Sequence, residues 1–158
     1  MSTLIVNPIG EIRHNDSGSV LVIDPAYRPA LKALDGFGHI NVLWWCDKFD
    51  SSEARSTLEV EAPYKKAPEI MGIFATRSPI RPNPIALTAV QIVGMNCEAG
   101  EIYLAYIDAD DGTPVLDIKP YTPSIDRIEQ PIVPHWCSHW PKSAEASGDF
   151  DWGAEFNF

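Results

Sequence analysis

The chain has 158 residues, enough for one domain with a hydrophobic core, and its 22 acidic against 12 basic side chains leave a net charge of −10. Hydrophobic content of 45% with 22% charge excludes a disordered chain, and no apolar run reaches the ~20 residues of a membrane helix. An evenly anionic surface repels phosphate backbones, so binding of nucleic acid would need a local basic zone.

From the N-terminus, "MSTLIVNPIG" has no basic n-region and no small-residue cleavage site, so no signal peptide is expected. Short β-branched or alternating runs predict strands over 2–12, 17–24, 38–49, 56–62, 69–76, 85–95 and 101–109. A helix is predicted over 28–36: Pro29 is tolerated in a first turn, Leu31 and Leu34 lie three apart, and Gly36 can end it. Many short strands with few helices indicate a mainly β fold, a barrel or curled sheet. The last segment, 137–158, has aromatic residues Trp140, Phe150, Trp152, Phe156 and Phe158 but no period. It is expected either to pack over the barrel or a second subunit, or to be a disordered end, and is set apart from a 1–136 domain. Cys46, Cys97 and Cys137 form no even framework, which predicts reduced thiols and a cytoplasmic location.

Four stretches carry chemistry. In "GIFATRSPIRPNPIALTAV" (72–90) the prolines cannot lie inside a sheet, so the segment must leave it as a stiff loop. No Asp or Glu occurs between Ile70 and Cys97, while Arg77 and Arg81 do, which favours anion binding over a merely rigid corner. In "DADDGTPVLDIKPYTPSID" (108–126), Asp111-Gly112 reads as a tight turn. Alternation then puts Val115, Asp117 and Lys119 on one face, where a surface ion pair is the plain alternative to a site. His39, in "LDGFGHINVLWW" (34–45), stands where a turn meets an apolar strand, a place more often held by a hydrogen-bonded histidine than by a catalyst. "HWCSHW" (135–140) would align His135, Cys137 and His139 on a strand, but without CxxC or HExxH no metal is expected. Phosphate-loop, dinucleotide and GxSxG motifs are missing from the sequence.

"LDGFGHINVLW", "FATRSPIRPNPIAL" and "DGTPVLDIKPY" together strongly resemble the TsaA-like (TrmO) family, over about residues 5–126. Its characterised members methylate N6 of adenosine 37 in tRNA with S-adenosylmethionine. The resemblance implies a small single-sheet β-barrel with few short helices, and a homodimer with the cofactor near the subunit interface. It implies cofactor contacts at His39, Ile40, Arg77, Leu87 and the run Ala105, Tyr106, Ile107 and Asp108. Substrate contacts are implied at Arg81, Asn83, Asp111, Asp117, Lys119 and Tyr121, with no catalytic residue assigned. The family's N-terminal Pro-Arg-Gln does not occur, "EAPYKKAPEIMG" stands in place of its Arg-Pro-Pro-Arg, and "GFGH" replaces "GFSH". Cofactor binding is therefore better supported than tRNA as substrate. The alternatives are a methyltransferase of the same fold acting on a small molecule, and a ligand-binding barrel without activity.

Overall fold

The structure, a computed structural model, describes residues 4–16 and 18–158. The first residues of the predicted 2–12 strand and Ser17 lie outside these. The chain divides into two units, one of residues 1–51 and 83–127, the other of 52–82 and 128–158.

The first unit is a closed antiparallel barrel, so the expected fold class is borne out. Its strands are β1 (Gly10–Asn15), β2 (Gly18–Ile23) and β3 (His39–Trp45), then, beyond β4 and β5 of the other unit, β6 (Ile85–Asn96), β7 (Glu101–Leu104) and β8 (Pro114–Pro120). Around the barrel the order is β1-β2-β7-β6-β3-β8, with β8 returning to β1. Alternation fills the interior: Ile12, Leu21, Ile40, Val42, Ile102 and Val115 are all buried, each removing apolar surface worth roughly 1.5–3 kcal/mol. Trp44 packs on this core and its indole N–H donates to Thr88 Oγ1 at 3.0 Å, so its polar edge is not stranded there.

Closure of the ring is narrow. β1 and β8 pair only through Gly10 with Val115 and Glu11 with Pro114. The Ile9 N–H donates to Val115 O, Ile12 N–H to Thr113 O, and Gly112 N–H to Ile12 O, at 2.8, 2.8 and 2.7 Å. Gly112 makes that last bond from φ 80°, a left-handed turn conformation that glycine adopts without strain. Gly10 is needed for a different reason: a Cβ there would lie 2.2 Å from Val22 O and 2.9 Å from Ile23 Cα, both backbone atoms.

Several predicted boundaries change. The 28–36 helix is instead a 3-10 helix over Pro25–Leu31, because Pro29 within it has no N–H to donate and Ala33 takes φ 66° just beyond it. The strand expected over 101–109 ends at Leu104; one more bond in register with β6 joins Ala105 N–H to Gln91 O, and Ile107 beyond it is buried in the core. β8 carries an extra residue at Leu116, since Leu43 pairs with Asp117 but Trp44 with Val115. Val115 therefore points inward while Asp117 and Lys119 point outward, and the expected shared face of all three does not form.

In the second unit, β4 (Glu59–Glu61) pairs with β5 (Ile70–Gly72). The strand expected over 69–76 stops at Gly72: Ile73 N–H still bonds to Leu58 O in register, but Thr76 N–H closes on Ile73 O and a 3-10 turn, Ile73–Ala75, follows. The predicted departure of the proline segment from a sheet is observed, since Ser78–Pro84 lies outside any strand. Segment 137–158 is ordered around Tyr64: Trp136 stacks on its ring at 5.5 Å, and Trp140 and Phe156 complete the cluster. Glu155, buried there, accepts from His139 Nε2 at 3.0 Å and from Trp140 Nε1 at 2.9 Å. These bonds hold its carboxyl below the ordinary glutamate range. His135–Cys137 is a 3-10 turn and not a strand, so the expected alternation of His135, Cys137 and His139 is not formed. Among the described residues no group of three or more His, Cys, Asp or Glu is placed to hold a metal, and no helix is long and apolar enough to cross a membrane.

Gly10→Ala is expected to destabilise the protein by at least about 1–3 kcal/mol, because only backbone can give way. Gly38→Ala, where a Cβ meets nothing within 4 Å, should leave the melting temperature unchanged. Thermal melts of the two variants side by side check both.

Candidate functional site

The outward residues of three adjacent strands form one wall of the barrel. Cross-strand pairing sets them in rows: Asp117 of β8 beside Leu43 of β3 beside Leu87 of β6, then Lys119 beside Asn41 beside Ala89. His39 pairs with Gln91 at the next position along, and Trp45 with Ile85 at the other end. Side chains in such rows stand about 5 Å apart, so they act as one surface. Leu87 is 49% exposed and Ile85 40%, giving the wall an apolar stripe.

At one end of the wall the chain turns sharply after β8. Tyr121 N–H donates to His39 O at 3.0 Å, and the Tyr121 ring meets the His39 ring edge-on at 6.3 Å. The Asp126 carboxylate fixes this turn, accepting from Asn41 Nδ2 at 2.9 Å and from Thr122 N–H at 2.7 Å. Neither Asn41 nor Asp126 was among the predicted site residues. The signal for Asn41 was available, since strand alternation places it between His39 and Leu43. Asp126 follows Thr-Pro by a helical turn, an ordinary helix-start pattern, and its reach to Asn41 is a tertiary contact that spacing does not reveal.

Asp117 and Lys119 form an ion pair at 2.7 Å, and Asp117 also accepts from Ile118 N–H at 2.9 Å. The carboxylate raises the Lys119 ammonium above its ordinary value by hydrogen bonding and then by charge. Both side chains are about half exposed, so the pair adds little to stability and stays open to a ligand. Next to it, a cleft of about 320 Å³ opens between the Pro25–Leu31 helix and β8, lined by Ile9, Tyr27, Leu31, Phe37, Asp117 and Ile118. Apolar walls with one carboxylate at the rim suit a flat, partly apolar ligand.

The barrel thus brings His39, Leu87, Asp117, Lys119 and Tyr121 onto one wall. Ala105, bonded to Gln91 O, joins the end where His39 lies. Tyr106 is exposed, and the charge of Asp108 pushes its phenol up. Ile40 and Ile107 have buried side chains, so only their backbones are available to a ligand. Asn83 is exposed and its carbonyl accepts from Ile85 N–H at 2.7 Å. Asp111 is engaged at the closing seam, where its carboxylate accepts from His14 N–H at 2.9 Å and from Arg13 Nη1 at 3.2 Å. Arg77 and Arg81 belong to the second unit. There the Arg77 backbone N–H donates to the Tyr64 phenol, whose pKa burial nonetheless raises.

Comparison with known proteins identifies the family. The profile of the family described as tRNA-methyltransferase O N-terminal domain matches residues 7–127. An S-adenosyl-L-methionine-binding protein of Archaeoglobus fulgidus is 40% identical over 118 residues, covering 75% of this chain and 79% of that one. A crystal structure of TrmO superposes with a TM-score of 0.64 at 31% identity, covering 84% of this chain. TrmO from Pseudomonas aeruginosa gives 0.61 at 29%, covering 83% of this chain. The chain spans 64% and 62% of those two solved chains.

The Asp111 carboxyl is held below the ordinary aspartate range, chiefly by the His14 N–H and then by Arg13. Its contribution to stability is therefore present above about pH 4 and lost as pH falls through the lowered value. Asp111→Asn should melt below the wild type at pH 7, with the gap closing under acid. Melts across pH 3 to 7 measure it.

Proposed function

This chain belongs to the tRNA-methyltransferase O N-terminal domain family, a family of S-adenosylmethionine-binding and methyltransferase proteins, and from that premise we propose that it methylates N6 of adenosine 37 in tRNA. The observation that carries the reading is the convergence of His39, Leu87, Asp117, Lys119 and Tyr121, from three separate motifs, on one wall. A family resemblance scattered over the fold would not have this property.

The donor set fits S-adenosylmethionine, a molecule with an ammonium, a carboxylate, a cationic sulfur and a flat base. When bound it supplies a methyl group carried on positively charged sulfur. Asp117 offers a carboxylate to cationic groups and Lys119 a cation to the carboxylate. Leu87 and Leu43 give apolar contact, His39 and Tyr121 give ring edges, and backbone groups of Ala105–Asp108 are suited to a base edge. Ile40 acts through the position it gives His39. Arg77 is proposed as a partner of the methionyl carboxylate on the motif alone.

The acceptor nitrogen is a weak nucleophile, because its lone pair is conjugated into the ring. The protein's task is to align it and to accept its hydrogen bonds as it gains positive charge. Asn83 and Asp117 are the proposed acceptors, with Asp111 bracing the turn that precedes β8. The exposed apolar stripe on β6 supports a homodimer. Cys46, Cys97 and Cys137 form no disulfide, which supports a reducing, cytoplasmic setting. A small-molecule acceptor is the competing reading, favoured by the net charge of −10.

Incubation with methyl-labelled cofactor and bulk tRNA, then digestion to nucleosides, is expected to place label on an N6-substituted adenosine. Cofactor binding by calorimetry without label on any nucleoside would favour the small-molecule reading instead. Arg77→Ala should weaken cofactor binding about 10- to 100-fold with the melting temperature retained, as loss of a charge-assisted hydrogen bond requires. Unchanged affinity would remove Arg77 from the site.

A further inference from the structure

We propose that Phe74 is a stacking platform for an unpaired nucleobase, with Arg81 as a fixed cation beside it; this rests on the tRNA reading and adds the side chain by which the proline loop grips RNA. Phe74 is 76% exposed, on a turn whose two ends, Ile73 and Thr76, are tied down. Ile73 before it is buried and its N–H donates to Leu58 O at 2.8 Å. Thr76 after it is buried, its hydroxyl donating to Ile73 O at 2.9 Å and accepting from Ser78 N–H at 3.2 Å. The ring is thus held out from a braced turn, and little conformational entropy remains to be lost when something stacks on it.

Arg81 makes the position chemically selective. Its guanidinium carbon lies over one face of the Phe74 ring, 5.9 Å from its centre, so the opposite face is the one offered to a base. Nη1 donates to Thr76 O at 3.1 Å and to Ser78 O at 3.4 Å, which fixes the fork. The hydrogen bonds described for Arg81 use that nitrogen alone, leaving Nε and Nη2 for a phosphate. No acidic side chain occurs in the sequence from Met71 to Asn96 to oppose an anion. An aromatic face for a base next to a guanidinium for the adjoining phosphate is the combination that single-stranded nucleic acid requires, and it tolerates any base because each has a π-face.

The test is fluorescence anisotropy of the full chain with bulk tRNA and with a labelled single-stranded RNA of about eight nucleotides, a span suited to one such site. Phe74→Ala and Phe74→Leu should weaken RNA binding about 5- to 100-fold, the loss of one base–aromatic stack. Phe74→Trp should retain it, and calorimetry should show cofactor affinity unchanged in all three. If wild type binds RNA and the Ala and Leu variants bind equally well, the stacking role is wrong while the tRNA reading stands. If wild type binds no RNA, both fail together. If Phe74→Ala breaks a dimer in sedimentation and RNA binding returns at high protein concentration, the ring is a contact between copies and the proposal is overturned.

Discussion

Closure of the barrel at β1 and β8 is the constraint on which the rest of the first unit depends. A sheet that fails to close exposes two edges with unpaired backbone groups, and here two residue pairs prevent it. The seam demands a glycine at position 10, where Val22 O leaves no space for a side chain. It demands another at Gly112, where the chain must turn left-handed to return to Ile12. The Asp111 carboxylate then ties the same turn to Arg13 and His14. The turn that reads in sequence as a ligand motif is therefore also the latch of the barrel. The latch sets where β8 begins and so where Asp117 and Lys119 emerge.

The extra residue at Leu116 matters for the same reason. Without it, strict alternation would put Val115 on the face of Asp117 and Lys119, and either an apolar group would face out or an ion pair would face the core. The bulge lets one strand supply a core residue and, two positions on, an exposed charged pair. The wall is thereby half apolar from β3 and β6 and charged from β8. A ligand resting on this wall would meet both kinds of surface.

Much of this was legible in the sequence because strand alternation is local. The barrel strands, the departure of the proline segment and the pairing of Asp117 with Lys119 all follow from residues near one another in the chain. What escaped was set at long range or by competing backbone bonds. Ile73 belongs to an apolar run that reads as strand, yet its carbonyl accepts from Thr76 N–H in a 3-10 turn and the strand stops. Leu31 and Leu34 suggest a helix by spacing, but Pro29 lacks the donor that an α-helical turn would use. Asp111 looks like a free turn carboxylate until His14, far away in sequence, is brought beside it. The aromatic tail has no period because its partner, Tyr64, is not in the tail.

The second unit is assembled from two stretches that a ribosome releases far apart, with β6 to β8 of the barrel made in between. When Tyr64 leaves the exit tunnel its ring partners do not yet exist, and Trp136, Trp140 and Phe156 follow only after β6, β7 and β8. Until then the segment around β4 and β5 must remain soluble on its own, with Leu58 and Ile70 beside the charges of Glu59, Glu61, Lys65, Lys66 and Glu69. Flanking charge of this kind keeps a nascent apolar stretch from associating with others. The aromatic residues of 136–156 thus pack on Tyr64 only after every barrel strand has been made.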